Sequence, residues 1–173
     1  VMNRLYRAAG CRMASVKRVL FVCTGNTCRS FMAEYIFKQI LRDKVEEGVL
    51  EACSISAVSA GLCASPGQKG SDTAIEVLRR EYGCDGSPHR ARLLTRELAE
   101  SADLILTMTR GHKSAILQVL PEMCSRVFTL AEYACGDINA ADIDDPFMGS
   151  YETYSVCAGK MYNALSCIYN KLF

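Results

Sequence analysis

Proline is scarce in this 173-residue chain, with four residues, histidine scarcer still with two, and neither sign of charge dominates: twenty Lys and Arg stand against nineteen Asp and Glu. Each shortage excludes a class. Twelve Gly and four Pro in a chain that is 50% hydrophobic do not make a disordered or fibrous protein. A net charge of +1 argues against a chain built to neutralise nucleic-acid phosphates or an anionic membrane, so neither is expected as a partner. No apolar run is long enough to span a bilayer. There is no Cys-x-x-Cys pair, and His89 and His112 stand apart from any ligand-like spacing, so no structural zinc, other metal or cofactor is expected. No charged start, apolar stretch and cleavage site open the chain. The ten Cys are therefore read as reduced thiols of a cytoplasmic protein and not as a disulfide scaffold.

The length fits one domain able to bury about 70% of its unfolded surface. Residues 1–15 carry Arg4, Arg7 and Arg12 with no acidic residue, and Met13 stands just before the first strand signal; the stretch is read as a leader or frayed extension. The domain is expected over residues 16–173.

Val19, Leu20, Phe21 and Val22 form an apolar run suited to a strand buried on both faces of a parallel sheet. Ala33, Ile36, Phe37, Ile40 and Leu41 then recur at helical spacing, and Ser30 is read as the residue that opens that helix. Ile55 to Ser59 reads as a second strand. Ser71 begins a helix through Ala74, Ile75, Leu78 and Tyr82 that Gly83 stops. Leu104, Ile105, Leu106 and Met108 read as a third strand, and Thr109 caps a helix that ends at Pro121. Val127 to Leu130 reads as a fourth strand, followed by a polar stretch over residues 136–149 long enough to be a functional loop. Tyr154, Ala158, Met161, Leu165, Ile168 and Leu172 mark the last helix. Strands alternating with helices predict a doubly wound α/β fold whose ligands bind beyond the carboxyl ends of the strands.

Between the first strand and the first helix runs Cys23-Thr24-Gly25-Asn26-Thr27-Cys28-Arg29-Ser30. A loop of this length can wrap a tetrahedral phosphoryl group with its backbone N–H groups, and the helix N-terminus adds positive potential that also favours a thiolate at Cys23. Arg29 offers a planar fork for two oxygens of the transferring group. The spacing alone is weak, because ten Cys and thirteen Arg in this chain give about 0.75 such pairs by chance. Cys84 to Arg90 is a second pair, but it follows a helix stop and contains Pro88, which has no N–H to donate; it reads as a decoy. On the residues alone, the Cys23 loop is either an oxyanion site or an ordinary strand-to-helix turn around a buried Cys. Asp145-Pro146-Phe147 is equally open: its carboxyl group could protonate a leaving group and Phe147 could wall a pocket, or the segment is a common turn.

Residues Val22 to Ser30 followed by Met32-Ala33-Glu34, together with Asp145-Pro146-Phe147, resemble the low-molecular-weight protein tyrosine phosphatase family. The similarity runs from Lys17 to Phe173 and includes Ser59-Ala60-Gly61, His89-Arg90-Ala91-Arg92 and the segment from Ala102 to Met108. The resemblance implies a single domain with a four-stranded parallel sheet flanked by helices. It implies Cys23 as nucleophile, Arg29 as phosphate clamp, Asp145 as general acid and then base, and a phosphocysteine intermediate. Thr24, Gly25, Asn26, Thr27, Cys28 and Ser30 would line the phosphate with Arg29, and Phe147 would stand beside them. Asn26, Ser30, Ser59 and His89 would form a network shaping the loop. Thr27 is similar to the residue in the bacterial protein-arginine phosphatases, whereas tyrosine-directed members carry Ile or Leu there; Met148-Gly149-Ser150-Tyr151 and residues 60–67 resemble the same subgroup. The chain departs at Phe31, where the family has a Pro suited to the first turn of a helix. Arsenate reductases share a Cys-Thr-Gly-Asn loop, but Met108-Thr109-Arg110-Gly111-His112 lacks the Cys pair they would need.

The expected activity is hydrolysis of protein phosphoarginine by a monomer acting on phosphorylated proteins. The alternatives are phosphotyrosine hydrolysis and a non-catalytic phosphoprotein-binding module, the latter disfavoured by the presence of both Cys23 and Asp145. A reactive thiolate at Cys23 with a second thiol in the same loop further predicts Cys28 as its redox partner.

Overall fold

Val19, Leu20, Phe21 and Val22 are wholly buried in β1 (Arg18–Cys23), the second strand across a four-stranded sheet ordered β2-β1-β3-β4. The computed structural model describes residues 16–48 and 55–173, and the expected leader lies outside them. In chain order the elements after β1 are α1 (Arg29–Glu46), β2 (Ser56–Gly61), α2 (Asp72–Tyr82), α3 (Arg96–Glu100), β3 (Leu104–Thr107) and α4 (Arg110–Val119). A 3-10 turn (Pro121–Met123), β4 (Val127–Thr129), α5 (Leu130–Cys135) and α6 (Tyr151–Leu172) complete the fold. All strand pairs are parallel, with Cys23 beside Gly61 and Val22 beside Thr107.

Alternation along β1 divides the core. Val19 and Phe21 face a cluster with Ile36, Phe37 and Ile40 of α1 and Met161, Leu165 and Ile168 of α6. Leu20 and Val22 face the other way, against Ala99 of α3, Ile116 of α4, Leu120 and Met123. Each face of a strand is a period-2 surface, so a strand covered on both sides must be apolar throughout. This is the doubly wound architecture that the sequence pattern predicts.

The caps follow side-chain chemistry. Ser71 accepts the Ala74 N–H, Gly83 ends α2 in the left-handed region at φ 64°, and Thr109 caps α4 by accepting the His112 N–H. Four boundaries differ from the sequence expectation. Helix α1 begins at Arg29 with Cys28 at its cap and no side-chain cap bond, because the Ser30 hydroxyl is taken up by Cys23, Asn26 and Ala60. The second strand lies later, over Ser56–Gly61, and the third ends before Met108. Leu130 opens α5 instead of ending β4, since Thr129 and Glu132 form a capping box that turns the chain into a helix. The short α3 has too few residues to show a period. No helix or strand occupies residues 136–149, as expected of the polar stretch. Among the described residues, no helix is long and apolar enough to cross a membrane.

Candidate active site

At the carboxyl end of β1 the chain turns through residues 24–28 and enters α1, at the edge where a doubly wound sheet places its ligands. The approach of β2 to this loop is close enough to require Gly61: a Cβ there would lie 2.5 Å from the Thr24 carbonyl oxygen and 2.9 Å from the Asn26 nitrogen. Amides of the segment after β2 hold the loop from this side, Leu62 donating to the Cys23 carbonyl and Cys63 to the Thr24 carbonyl, each at 2.9 Å.

Asn26 organises the interior. It is fully buried and takes φ 56°, a left-handed conformation that Asn tolerates better than most residues. Its Nδ2 donates to Ser30 Oγ at 3.0 Å and to Ser59 Oγ at 2.8 Å, while its Oδ1 accepts the Arg92 N–H at 2.9 Å. His89 Nε2 lies 2.7 Å from the Asn26 carbonyl. Burial holds the His89 pKa below its usual 6.5, against the opposing pull of that bond. With both amide protons of Asn26 committed, the Ser59 hydroxyl donates to Glu34 Oε2, and Ser30 Oγ is left 2.9 Å from Cys23 Sγ. The Asn26 N–H also donates to that sulfur, at 3.3 Å. The sulfur thus faces the N-terminus of α1 with one amide donor on it and the Ser30 hydroxyl, which also reaches the Ala60 carbonyl at 3.3 Å, beside it.

Arg29 is 5% exposed, and both arms of its guanidinium reach the long loop after α5. Nη1 donates to the Ile143 carbonyl at 3.1 Å and Nη2 meets Asp145 Oδ2 at 2.5 Å. Its Nε–H is buried and has no partner among the described residues, an arrangement that favours an anionic acceptor. Asp145 is held as the first residue of a turn by the Phe147 N–H, donated to Oδ1 at 3.2 Å. Phe147 itself is 66% exposed, at the surface beside the acid. Thr24 is exposed, Gly25 and Thr27 half-buried, and the Thr27 carbonyl accepts the Ser71 N–H at 2.9 Å.

The fold thus brings Cys23, Arg29, Asp145, Asn26, Ser30, Ser59 and His89 together at one end of the sheet. Cys28 is buried with its sulfur 3.2 Å from the Tyr154 hydroxyl, and burial pushes its pKa up. Cys84 of the decoy pair packs against carbonyls of Tyr35 and Tyr82. Four residues escaped the sequence reading. Glu34 is a buried carboxylate on an otherwise apolar helix face, which was its signal. His112 lies 2.9 Å from the Thr24 hydroxyl, and Tyr154 touches Cys28; nothing local in the sequence marks either contact. Arg92 contributes its backbone, the N–H to Asn26 Oδ1 and the carbonyl to the Gly61 N–H at 3.0 Å. Phe31, where the family has Pro, is wholly buried and stacks on His89 with centroids 4.2 Å apart. Gly70 and Gly86 make its slot, since a Cβ on either would come within 2.7 Å of the ring. Among the described residues, no three of His, Cys, Asp and Glu cluster as a metal site would.

The low molecular weight phosphotyrosine protein phosphatase model matches residues 18–172. The chain belongs to that family. It is 42% identical over 136 residues to a protein-arginine-phosphatase of Bacillus subtilis, covering 79% of this chain and 83% of that protein. It is also 38% identical over 151 residues to the low molecular weight protein-tyrosine-phosphatase PtpB of Staphylococcus epidermidis, covering 87% and 96%. Among solved structures, a mutant of the YwlE arginine phosphatase with a phosphorylated active-site serine superposes with a TM-score of 0.79 at 39% identity, covering 90% of this chain and 95% of that one. Proteins of both names are thus similar to this chain over most of its length.

Proposed function

We propose that this protein hydrolyses phosphoarginine in proteins through a phosphocysteine formed on Cys23. The Cys23 thiolate attacks phosphorus and the bond from phosphorus to the guanidinium nitrogen breaks. Asp145 gives its proton to the departing nitrogen. Water then attacks the phosphocysteine, Asp145 accepts its proton, and phosphate leaves with the thiolate restored. Loop amides and Arg29 hold the three equatorial oxygens throughout, stabilising the charge of the transferring group. Ser30, Asn26, Ser59 and His89 keep the loop in shape, and Thr24, Gly25, Thr27 and Cys28 complete its wall.

The observation that carries this reading is the convergence of a hydrogen-bonded sulfur, a buried guanidinium whose Nε–H has no partner among the described residues, and a carboxyl group on that guanidinium. Thr27 and the identity to arginine phosphatases support phosphoarginine over phosphotyrosine. The comparable identity to PtpB keeps phosphotyrosine hydrolysis as the second reading. Turnover of a phosphoarginine peptide and a phosphotyrosine peptide by one preparation separates the two. Cys23→Ser should bind vanadate and turn over neither substrate, because the loop amides and Arg29 remain while a hydroxyl is a far weaker nucleophile. Turnover by that variant would exclude the covalent route.

A further inference from the structure

His112 is a buried titratable side chain that touches the anion loop and that the chemistry above does not use. It stands in the first turn of α4, 9% exposed, with Nδ1 2.9 Å from Thr109 Oγ1 and Nε2 2.9 Å from Thr24 Oγ1. Thr109 Oγ1 already accepts the His112 N–H of the helix cap at 3.2 Å. In the tautomer where Nδ1 takes the Thr109 hydroxyl proton, the imidazole hydrogen sits on Nε2 and is donated to the Thr24 hydroxyl, and the inference rests on that tautomer. Burial and the Arg29 guanidinium hold the His112 pKa below 6.5, opposed by Asp145 and Asp142, so the ring is neutral at neutral pH as that tautomer requires.

Thr24 is therefore gripped from two sides. Cys63 holds its carbonyl from the β2 side, and His112 holds its hydroxyl from the β3 side. The same β3–α4 turn also grips the loop that bears the acid. The Met108 carbonyl accepts the Ile143 N–H at 2.9 Å, and the Arg110 N–H donates to Asp142 Oδ1 at 2.9 Å. Ile143 is in turn the residue whose carbonyl takes Arg29 Nη1. Residues 108–112 thus join two loops that are distant in sequence but must stand in fixed register for Cys23, Arg29 and Asp145 to act on one phosphorus.

We propose that His112 is a positioning residue for oxyanion binding, acting through Thr24: its Nε2–H fixes the first turn of the anion loop relative to the acid-bearing loop. The inference rests on the phosphatase reading above. A hydroxyl pinned by a neutral donor keeps the amides that follow it aimed inward before substrate arrives, so the loop does not spend binding energy on ordering itself.

The test compares wild type with His112→Ala, His112→Gln, Thr24→Val and the His112→Ala/Thr24→Val pair. Its readouts are the affinity for inorganic phosphate and vanadate by calorimetry, kcat/KM on both phosphopeptides, and thermal unfolding. Losing one hydrogen bond of this kind corresponds to a change of about tenfold at most, so His112→Ala should weaken vanadate binding and kcat/KM by about that factor. Gln carries an N–H at similar reach and should recover most of the loss. Thr24→Val, at an exposed position where folding is not at stake, should match the loss, and the pair should lose no more than either alone. Multiplying losses in the pair, or vanadate binding by Thr24→Val equal to wild type, would overturn the role of His112. Wild-type protein that binds no oxyanion would instead remove the phosphatase reading itself, which keeps the two failures apart.

Discussion

Arg29 Nη2 and Asp145 Oδ2 meet at 2.5 Å across 116 residues of sequence. The guanidinium is buried and the carboxylate half-exposed, so the contact joins the floor of the site to its rim. Because the other arm of Arg29 is bound to the Ile143 carbonyl, the orientation of the clamp and the position of the acid-bearing loop are one structural variable. A substitution at either end therefore reads out both.

Asp145→Asn should slow phosphocysteine formation by about 10²- to 10⁴-fold on substrates with poor leaving groups, and by much less on activated aryl phosphates, whose leaving groups need no proton. Single-turnover rates on the two substrate types measure this. Asp144, paired with Lys160 at the surface, is the control, and Asp144→Asn should have a weak effect. Equal losses on both substrate types would assign Asp145 to holding Arg29 and not to proton transfer.

Thr27→Ile should shift the ratio of kcat/KM values toward phosphotyrosine by about tenfold or more, since pocket differences of this size are commonly worth about 1 to 3 kcal/mol. An aromatic ring gains an apolar wall, while a guanidinium loses a hydroxyl and faces hydrocarbon. Parallel loss of both activities would mean that Thr27 serves only the shape of the loop.

Mild peroxide should join Cys23 to Cys28 in a reversible disulfide, with Cys28 resolving the sulfenic acid formed on Cys23. The raised pKa of Cys28 keeps it a thiol at neutral pH, so closure should quicken as pH rises toward 9. Peptide mapping after oxidation detects the bond. Irreversible inactivation at the same rate in wild type and Cys28→Ala would show that Cys28 merely packs against Tyr154.

Phe31→Ala should lower stability by about 3 to 5 kcal/mol, the usual cost of emptying a phenylalanine site in a core. It should also weaken vanadate binding, because His89 loses the ring on which it stacks while holding the Asn26 carbonyl. Phe31→Pro brings back the family's residue but leaves the slot between Gly70 and Gly86 empty, and should not recover the loss. Urea unfolding measures the first effect and calorimetry the second.

Stability should fall as pH is lowered from 7.5 to 5.5. His89 and His112 both have pKa values below 6.5 in the fold, chiefly through burial, whereas in the unfolded chain each titrates near 6.5. In the interval between the folded and unfolded values the unfolded state binds more protons, so unfolding becomes easier with acid, and this contribution levels off below the folded values. Urea midpoints across this range measure the decline, and His112→Gln should flatten part of it. A midpoint that stays constant in wild type would mean that the two rings are not held neutral.

The amino-acid sequence by itself determined the strand β1 and the helices α1, α2, α4 and α6, because runs such as Val19 to Val22 and the spacing of Tyr154, Ala158, Met161 and Leu165 encode which faces are buried. It also determined the local chemistry of the anion loop, since Cys23, Gly25, Asn26 and Arg29 lie within one turn of chain. Tertiary structure decided everything that depends on bringing distant segments together: Asp145 onto Arg29, Ser59 and Glu34 behind Asn26, His112 onto Thr24, and Phe31 onto His89 between two glycines. It also overrode a local signal at Ser30, which looks like a helix cap in sequence but whose hydroxyl is taken up by Cys23, Asn26 and Ala60. The reason is that helical and strand periods are properties of neighbours along the chain, whereas a hydrogen bond between residues 88 or 116 positions apart exists only after the sheet order β2-β1-β3-β4 has placed their loops at one edge.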